Sequence, residues 1–395
     1  MKKTTTLLVL AAVGGSLASA ESIIKPINDQ LYGTITGRIQ SLTMYRDYDG
    51  IGNGYNTNLG IVLGYTSPDW AGFDLGVAYN YAFALDNNNH WKMLYNDDIN
   101  VINEGWLRYS FDALGLEDTA ILAGRKINNG EVFRADDFRQ KARSIESVMF
   151  QTEDIPNTVL TVGHAYRLSN WIDAGDRSDF NKFDDIFRTP YDTDGVTWAE
   201  GVYTGFDGWE IALFDAYAWD VSNLIGTRVK WSLCDEVAFT AYYRHEGDVG
   251  KAASRNSDSY GLSMMQKVGP VSLEAGYFGV RGNTLRFNEA TTGINHPLGS
   301  SMMIYGGQFN GGSDTAYFKA VAKIDALTLY ALYNYTWQDH NRTPFDGQEL
   351  NFVAKYKFFE NFTAAAKVGV GYRDRKNNTK NTTAVDTRLF LTYSF

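Results

Sequence analysis

Charged side chains recur in this chain at every second position, opposite apolar ones. In Glu104–Phe111, Glu104, Trp106 and Arg108 share one parity and Leu107, Tyr109 and Phe111 the other. The same rule sets Arg38 opposite Ile35 and Ile39, and Arg228 and Lys230 opposite Ile225, Val229, Trp231 and Leu233. It sets Arg244 opposite Phe239, Ala241 and Tyr243, Lys367 and Arg373 opposite Val368, Val370 and Tyr372, and Arg388 opposite Leu389 and Leu391. Lys319, Lys323, Lys355 and Lys357 fall on the charged face too, and Arg125 is placed with them although Ile121 and Leu122 compete for the apolar face. Acids on that face are fewer, chiefly Asp74, Glu104, Glu146 and Glu274. A wall of fixed cations performs no covalent step. Its chemistry is electrostatic: weak, repeated sites that admit small anions and release them.

Covalent chemistry needs a nucleophile or activated water beside a base. The five histidines, His90, His164, His245, His296 and His340, are scattered and mostly outside the alternating segments, and no Ser/His or Asp/His constellation emerges. Cys234 is the single cysteine, which excludes an intrachain disulfide and a thiolate metal cluster. No catalytic residue, metal or cofactor is expected.

The elements that carry these residues read as β-strands. Phe73–Leu85 alternates throughout, with Phe73, Leu75, Val77, Tyr79, Tyr81, Phe83 and Leu85 on one face and small or polar residues on the other. Crossing a membrane takes a tilted strand of about 9–11 residues. The chain ends on the same pattern, Leu389, Leu391, Tyr393 and Phe395, with Phe390 the exception on the polar face. Eighteen such strands are predicted, near 31–46, 58–66, 73–85, 101–111, 119–126, 144–151, 158–166, 196–204, 209–219, 223–233, 236–246, 257–267, 270–280, 315–324, 327–337, 348–358, 361–374 and 385–395. Short connections alternate with mostly longer ones, and Ser301–Phe309 is assigned to the long seventh loop rather than to a nineteenth strand. Aromatic residues gather at both strand ends, Trp70, Phe206, Trp209, Phe358, Phe362 and Phe395 at one and Tyr45, Phe83, Trp219, Tyr335 and Trp337 at the other, as two interfacial girdles would require. The expected fold is an all-β transmembrane antiparallel barrel.

Residues 1–20 have the form of a secretory signal peptide: Lys2 and Lys3, an apolar run from Leu7 to Val13, and a small-x-small site at Ala18-Ser19-Ala20. The expected mature chain, 21–395, is one barrel. Its 34 basic and 46 acidic side chains give a net charge of −12, which argues against nucleic acid as a partner. A net-acidic chain with a basic inner wall has moved its acid to the loops. Loop 167–195 shows this with Asp173, Asp176, Asp179, Asp184, Asp185, Asp192 and Asp194.

The third loop, 127–143, is dense in charge: Glu131, Arg134, Asp136, Asp137, Arg139, Lys141 and Arg143. Folded into the lumen, such a loop makes a charged constriction that selects ions by sign and size. Gly124-Arg125-Lys126, Phe133-Arg134-Ala135-Asp136-Asp137-Phe138-Arg139, Ser144-Ile145-Glu146-Ser147 and Thr158-Val159-Leu160 resemble the loop-three region of OprD-type porins. These are eighteen-stranded outer-membrane channels specific for carboxylates and basic amino acids. The resemblance implies a basic ladder, for which Arg38, Arg108, Arg125, Arg228, Lys230, Arg244, Lys367 and Arg388 are the candidates. It implies an acidic side facing them, to which Asp136 and Asp137 could contribute. The expectation is a passive bacterial outer-membrane channel for small anionic or zwitterionic solutes, with outer-membrane lipids and a homotrimeric assembly as partners. A general-diffusion porin and a structural or adhesive surface barrel are the alternatives.

Overall fold

The computed structural model describes residues 23, 32–50, 52–88, 98–135, 139–170, 179–251, 255–287, 304, 307–341, 345–375 and 380–395. The segment read as a signal peptide lies outside them. Eighteen long strands run antiparallel in sequence order: β1 (Thr34–Tyr48), β2 (Gly52–Thr66), β3 (Phe73–Asn88), β4 (Ile99–Ser110), β5 (Thr119–Lys126), β6 (Ser144–Thr152), β7 (Thr158–Ser169), β9 (Val196–Tyr203), β10 (Trp209–Ala218), β11 (Ser222–Cys234), β12 (Val237–Gly247), β13 (Ser257–Val268), β14 (Val271–Gly282), β15 (Asp314–Ile324), β16 (Leu327–Trp337), β17 (Phe345–Phe359), β18 (Phe362–Arg375) and β19 (Thr382–Ser394). The two-residue strand β8 (Asn181–Lys182) pairs with the end of β7 inside the fourth loop, beside the short helix α1 (Phe183–Phe187).

β1 pairs with β2 on one side and with β19 on the other, in a register that runs from Arg38↔Ser394 to Tyr48↔Ala384. The sheet is therefore closed and has no free edge, so every strand satisfies its backbone groups on both neighbours. At one rim the connections are tight. Gly269 (φ 57°) and Asp325 (φ 50°) take the left-handed conformation that two-residue turns demand. The other rim carries the long loops, including 127–143, 170–195 and 283–313. Both ends of the barrel sequence lie at the tight-turn rim.

Each of the eighteen predicted strands has its counterpart. The largest difference lies at the loop rim of β1 and β2, which extend to Tyr48 and start at Gly52. There the ladder continues through polar residues on both faces (Arg46, Asp47, Asn53, Asn56), so the period-2 apolar signal stops before the pairing does. Of Ser301–Phe309, the described part is no barrel strand: Gly307–Phe309 is a buried 3-10 turn and the Ile304 amide donates to Glu349.

Outward side chains are apolar and exposed, among them Ile61, Leu63, Leu107, Leu213, Ile225, Leu262, Phe318 and Leu389. Such an exposed apolar band is the face a barrel turns to lipid. Aromatics pack against one another at its two borders. Trp209, Trp231 and Phe239 stack across three strands at 5.7 Å spacings near the tight turns, and Tyr335 meets Trp337 at 4.9 Å near the loops.

Candidate functional site

The lumen is bounded by the inward parity of the strands and filled on one side by loops. Alternation fixes which side chains enter it. Gln40, Leu42, Met44, Arg108, Arg228, Arg244 and Arg388 are all buried on that parity.

Loop 127–143 folds into this space and packs against strands on both sides. On β1 and β2, Arg38 Nη2 donates to the Gln140 carbonyl oxygen at 2.9 Å, and Gln40 Nε2 to that of Arg139 at 2.6 Å, while the Gln140 amide reaches Asn58. On β4, Asn103 accepts from the Lys141 ammonium at 3.0 Å. On β9, Glu200 accepts the Val132 amide at 2.9 Å. On β11, Arg228 holds Glu131 at 2.6 Å. Among the predicted loop residues, Glu131, Arg134, Arg139 and Arg143 are buried, and Arg143 Nε donates to Asn170 at 3.0 Å. Asp136 and Asp137 lie outside the described residues.

An aromatic cluster completes the packing. Phe133 of the third loop stands edge-on to Trp198 of β9 at 5.1 Å and lies 6.2 Å from Phe183 of α1. Phe187 of α1 stacks on Phe183 at 5.5 Å and meets Phe287 of the seventh loop at 5.3 Å. Loops three, four and seven thus share one hydrophobic core inside the barrel. Parity could have found Trp198 and Phe214. No periodicity marks Phe133, Phe183 or Phe287, because loops have none.

The predicted ladder residues divide into three groups. Arg108, Arg228, Arg244 and Arg388 face inward but are matched by acids. Arg108 Nε lies 2.6 Å from Asp74, and Arg108 Nη1 also donates to the Ile23 carbonyl oxygen at 3.0 Å. Arg228 bridges Glu131 at 2.6 Å and Glu210 at 2.7 Å. Arg244 pairs with Glu246 at 3.0 Å and also donates to the Phe287 carbonyl oxygen. Arg388 pairs with Asp386 at 2.9 Å, and Arg46 reaches the same carboxylate at 2.6 Å. Lys319, from the wider inward set, pairs with Glu274.

Arg38, Lys230 and Lys367 make the second group. They face inward: Arg38 holds the Gln140 carbonyl oxygen of the third loop, and Lys230 forms no ion pair among the described residues. Lys367 lies over the Phe390 ring at 4.9 Å, and Phe390, the exception to the terminal pattern, is an inward residue buried beside Leu42 and Met44. Lys323, Lys355 and Lys357, like Lys230, form no ion pair among the described residues; Lys323 and Lys355 lie in one row of the sheet, joined through Thr328, with Lys357 one inward position further along β17.

Arg125 is the third group and a correction. It pairs in register with Gly105, two residues from the outward pair Leu107↔Ala123, so it belongs to the outer parity. It is half-exposed, bonds Glu146 at 3.0 Å and lies 4.2 Å over the Phe180 ring. Glu146, read as inward, is its partner on that outer parity. The inward cation on β5 is its neighbour Lys126, 5.2 Å over Trp106. The balance read from the sequence also shifts. Asp386, Glu131, Glu200, Glu210, Glu246 and Glu349 add to the inward acids, so the wall alternates in sign where the arginines stand.

At the loop rim, Asp248 packs 3.5 Å from Arg286, and burial pushes its carboxyl above the ordinary range against that guanidinium's opposing pull. The Arg286 amide donates to Glu246 at 2.7 Å, which ties the seventh loop to β12.

No family model matches the chain, and no curated protein matches it by sequence. Solved structures do match over nearly the whole length. OccK9 (OpdG) of Pseudomonas aeruginosa superposes with a TM-score of 0.77 at 15% identity, covering 92% of this chain and 98% of that one. OccD3 (OpdP) of the same organism gives 0.70 at 20% identity, covering 94% and 95%. A BenF-like porin from Pseudomonas fluorescens Pf-5 gives 0.75 at 15% identity, covering 93% and 100%. The fold is that of the OprD/Occ-type porins: a closed eighteen-stranded antiparallel barrel. At this level of identity the likeness is one of fold, and the third-loop segment that suggested it belongs to the loop packed into the lumen.

Proposed function

We propose that this chain is a porin of the bacterial outer membrane, a water-filled channel through which small anionic or zwitterionic solutes such as carboxylates and amino acids diffuse passively. One observation carries the reading. A charged loop is packed into a closed barrel and narrows it, and four inward lysines of the wall, Lys230, Lys323, Lys355 and Lys357, form no ion pair among the described residues. Fixed cations beside a constriction lower the barrier to anions and raise it to cations. The exposed apolar outer wall and the exported form of the sequence suit an outer-membrane location, and the solved structures of the same fold include a porin.

One observation favours the less selective alternative, a general-diffusion porin: four inward arginines are already neutralised by acids. Reversal potentials across planar bilayers under a salt gradient decide between the two. A potential of anion-selective sign at low salt supports the proposal. A potential near zero supports general diffusion, and a barrel that never conducts refutes both.

A further inference from the structure

The ion pair between Arg228 and Glu131 is the obvious tether of the third loop, but it is not the only one. Glu200 projects from β9 into the lumen and is buried. It forms no ion pair among the described residues. Its Oε2 accepts the Val132 amide at 2.9 Å, and its Oε1 lies against Gly130, where an added Cβ would come within 2.2 Å. Gly130 itself closes a tight turn, its amide donating to the Phe133 carbonyl oxygen at 2.7 Å. That turn sets Phe133 against Trp198, which lies two residues from Glu200 on the same inward face of β9. A carboxylate buried without a cation is costly, and such a group persists where its hydrogen bonds hold something in place.

We propose that Glu200 is the positioning residue of the third loop: its carboxylate seats the turn 130–133 on β9, and Gly130 is the residue that lets the backbone approach closely enough. The loop's inward pose then has two anchors of different kinds. Arg228–Glu131 is a charge pair between side chains. Glu200–Val132 is a carboxylate on a backbone amide and needs an acceptor of that reach. The proposal rests on reading this loop as the constriction, but its test does not need conduction.

Cys234 is exposed at a tight turn, so a Cys234→Ser background leaves a cysteine-free barrel. Val132 is buried, and a Val132→Cys thiol in that background should react slowly with a maleimide while the loop is seated. Glu200→Leu removes the acceptor. It should raise the labelling rate by about tenfold, the factor corresponding to about 1.4 kcal/mol. Glu200→Gln keeps an amide oxygen to accept the Val132 amide and should label close to the parent rate. Gly130→Ala should accelerate labelling independently, because its Cβ occupies the carboxylate's place. It serves if the leucine variant does not yield a heat-modifiable barrel. Labelling as slow in a folded Glu200→Leu or Gly130→Ala barrel as in the parent overturns the proposal. So does a Glu200→Gln barrel that labels as fast as the leucine variant. Correct labelling in a barrel that never conducts would leave Glu200's role standing and remove the channel reading alone.

Discussion

Reversing Lys355 and Lys357 together to glutamate should weaken or invert anion selectivity. Both face inward near the tight-turn rim, on the parity of the buried Glu349, Asn351 and Val353, and neither has an acidic partner in a described ion pair. Lys323, in the same row two strands away, is about 10 Å distant from Lys355 at ordinary strand spacing. A permeating ion about 10 Å from one unit charge in water feels about 0.4 kcal/mol. Two reversals change four unit charges, about 1.6 kcal/mol without screening. At 0.1 M salt the Debye length is about 10 Å, which cuts this to about 0.6 kcal/mol. Anion entry should therefore fall about threefold at 0.1 M and about sevenfold at 0.01 M, where a Debye length of about 30 Å leaves about 1.2 kcal/mol. Reversal potentials under a KCl gradient, measured at both ionic strengths, read this directly. An unchanged potential at the lower salt, in a barrel that still shifts on heating, would mean that these lysines do not face the conducting path. The paired arginines are the contrasting control, because their field is already cancelled at close range.

Arg244→Glu should act on stability rather than selectivity: it leaves Glu246 facing a second buried acid, and breaking a buried pair costs about 3–5 kcal/mol. A lower temperature for the heat-induced gel shift would register it, and an unchanged one would contradict the buried pair. Deleting Asn129–Lys141 should raise single-channel conductance while the barrel still folds, because the ladder of β5 with β6 continues without the loop; unchanged conductance would move the constriction to the seventh loop. Trp198→Ala should cost about 3–5 kcal/mol of packing, as large aromatic truncations in cores do, and should appear as open-channel noise when Phe133 loses its seat. A quiet channel from that variant would show that the loops do not depend on the shared aromatic core.

Parity in a strand states which face a residue occupies, and nothing about its partner. That is why the barrel was legible and the charge balance was not. Leu107 and Arg108 had to face opposite ways, because an arginine toward lipid at mid-bilayer costs a few kcal/mol. Nothing local to Arg108 points to Asp74, whose nearness follows from the register of β3 with β4, or to Ile23, 85 residues away. Arg125 shows the converse. Gly124, at φ 126°, carries the chain past Trp106, and the pattern after it places Lys126 inward and Arg125 outward; two competing apolar neighbours hid this in the sequence.

The loops were legible only by composition. Charge density marked 127–143 as unusual, and its entry into the lumen gives those charges their partners: Arg228 for Glu131, Asn103 for Lys141, Asn170 for Arg143. Its apolar anchor Phe133 carries no such mark. The acids that neutralise the inward arginines leave Lys230, Lys323, Lys355 and Lys357 as inward cations with no ion pair among the described residues, so the cationic part of the wall is set by what the arginines have already bound. A count of inward basics overstates the field a solute meets, and the residues to alter first are those whose register brings them no acid.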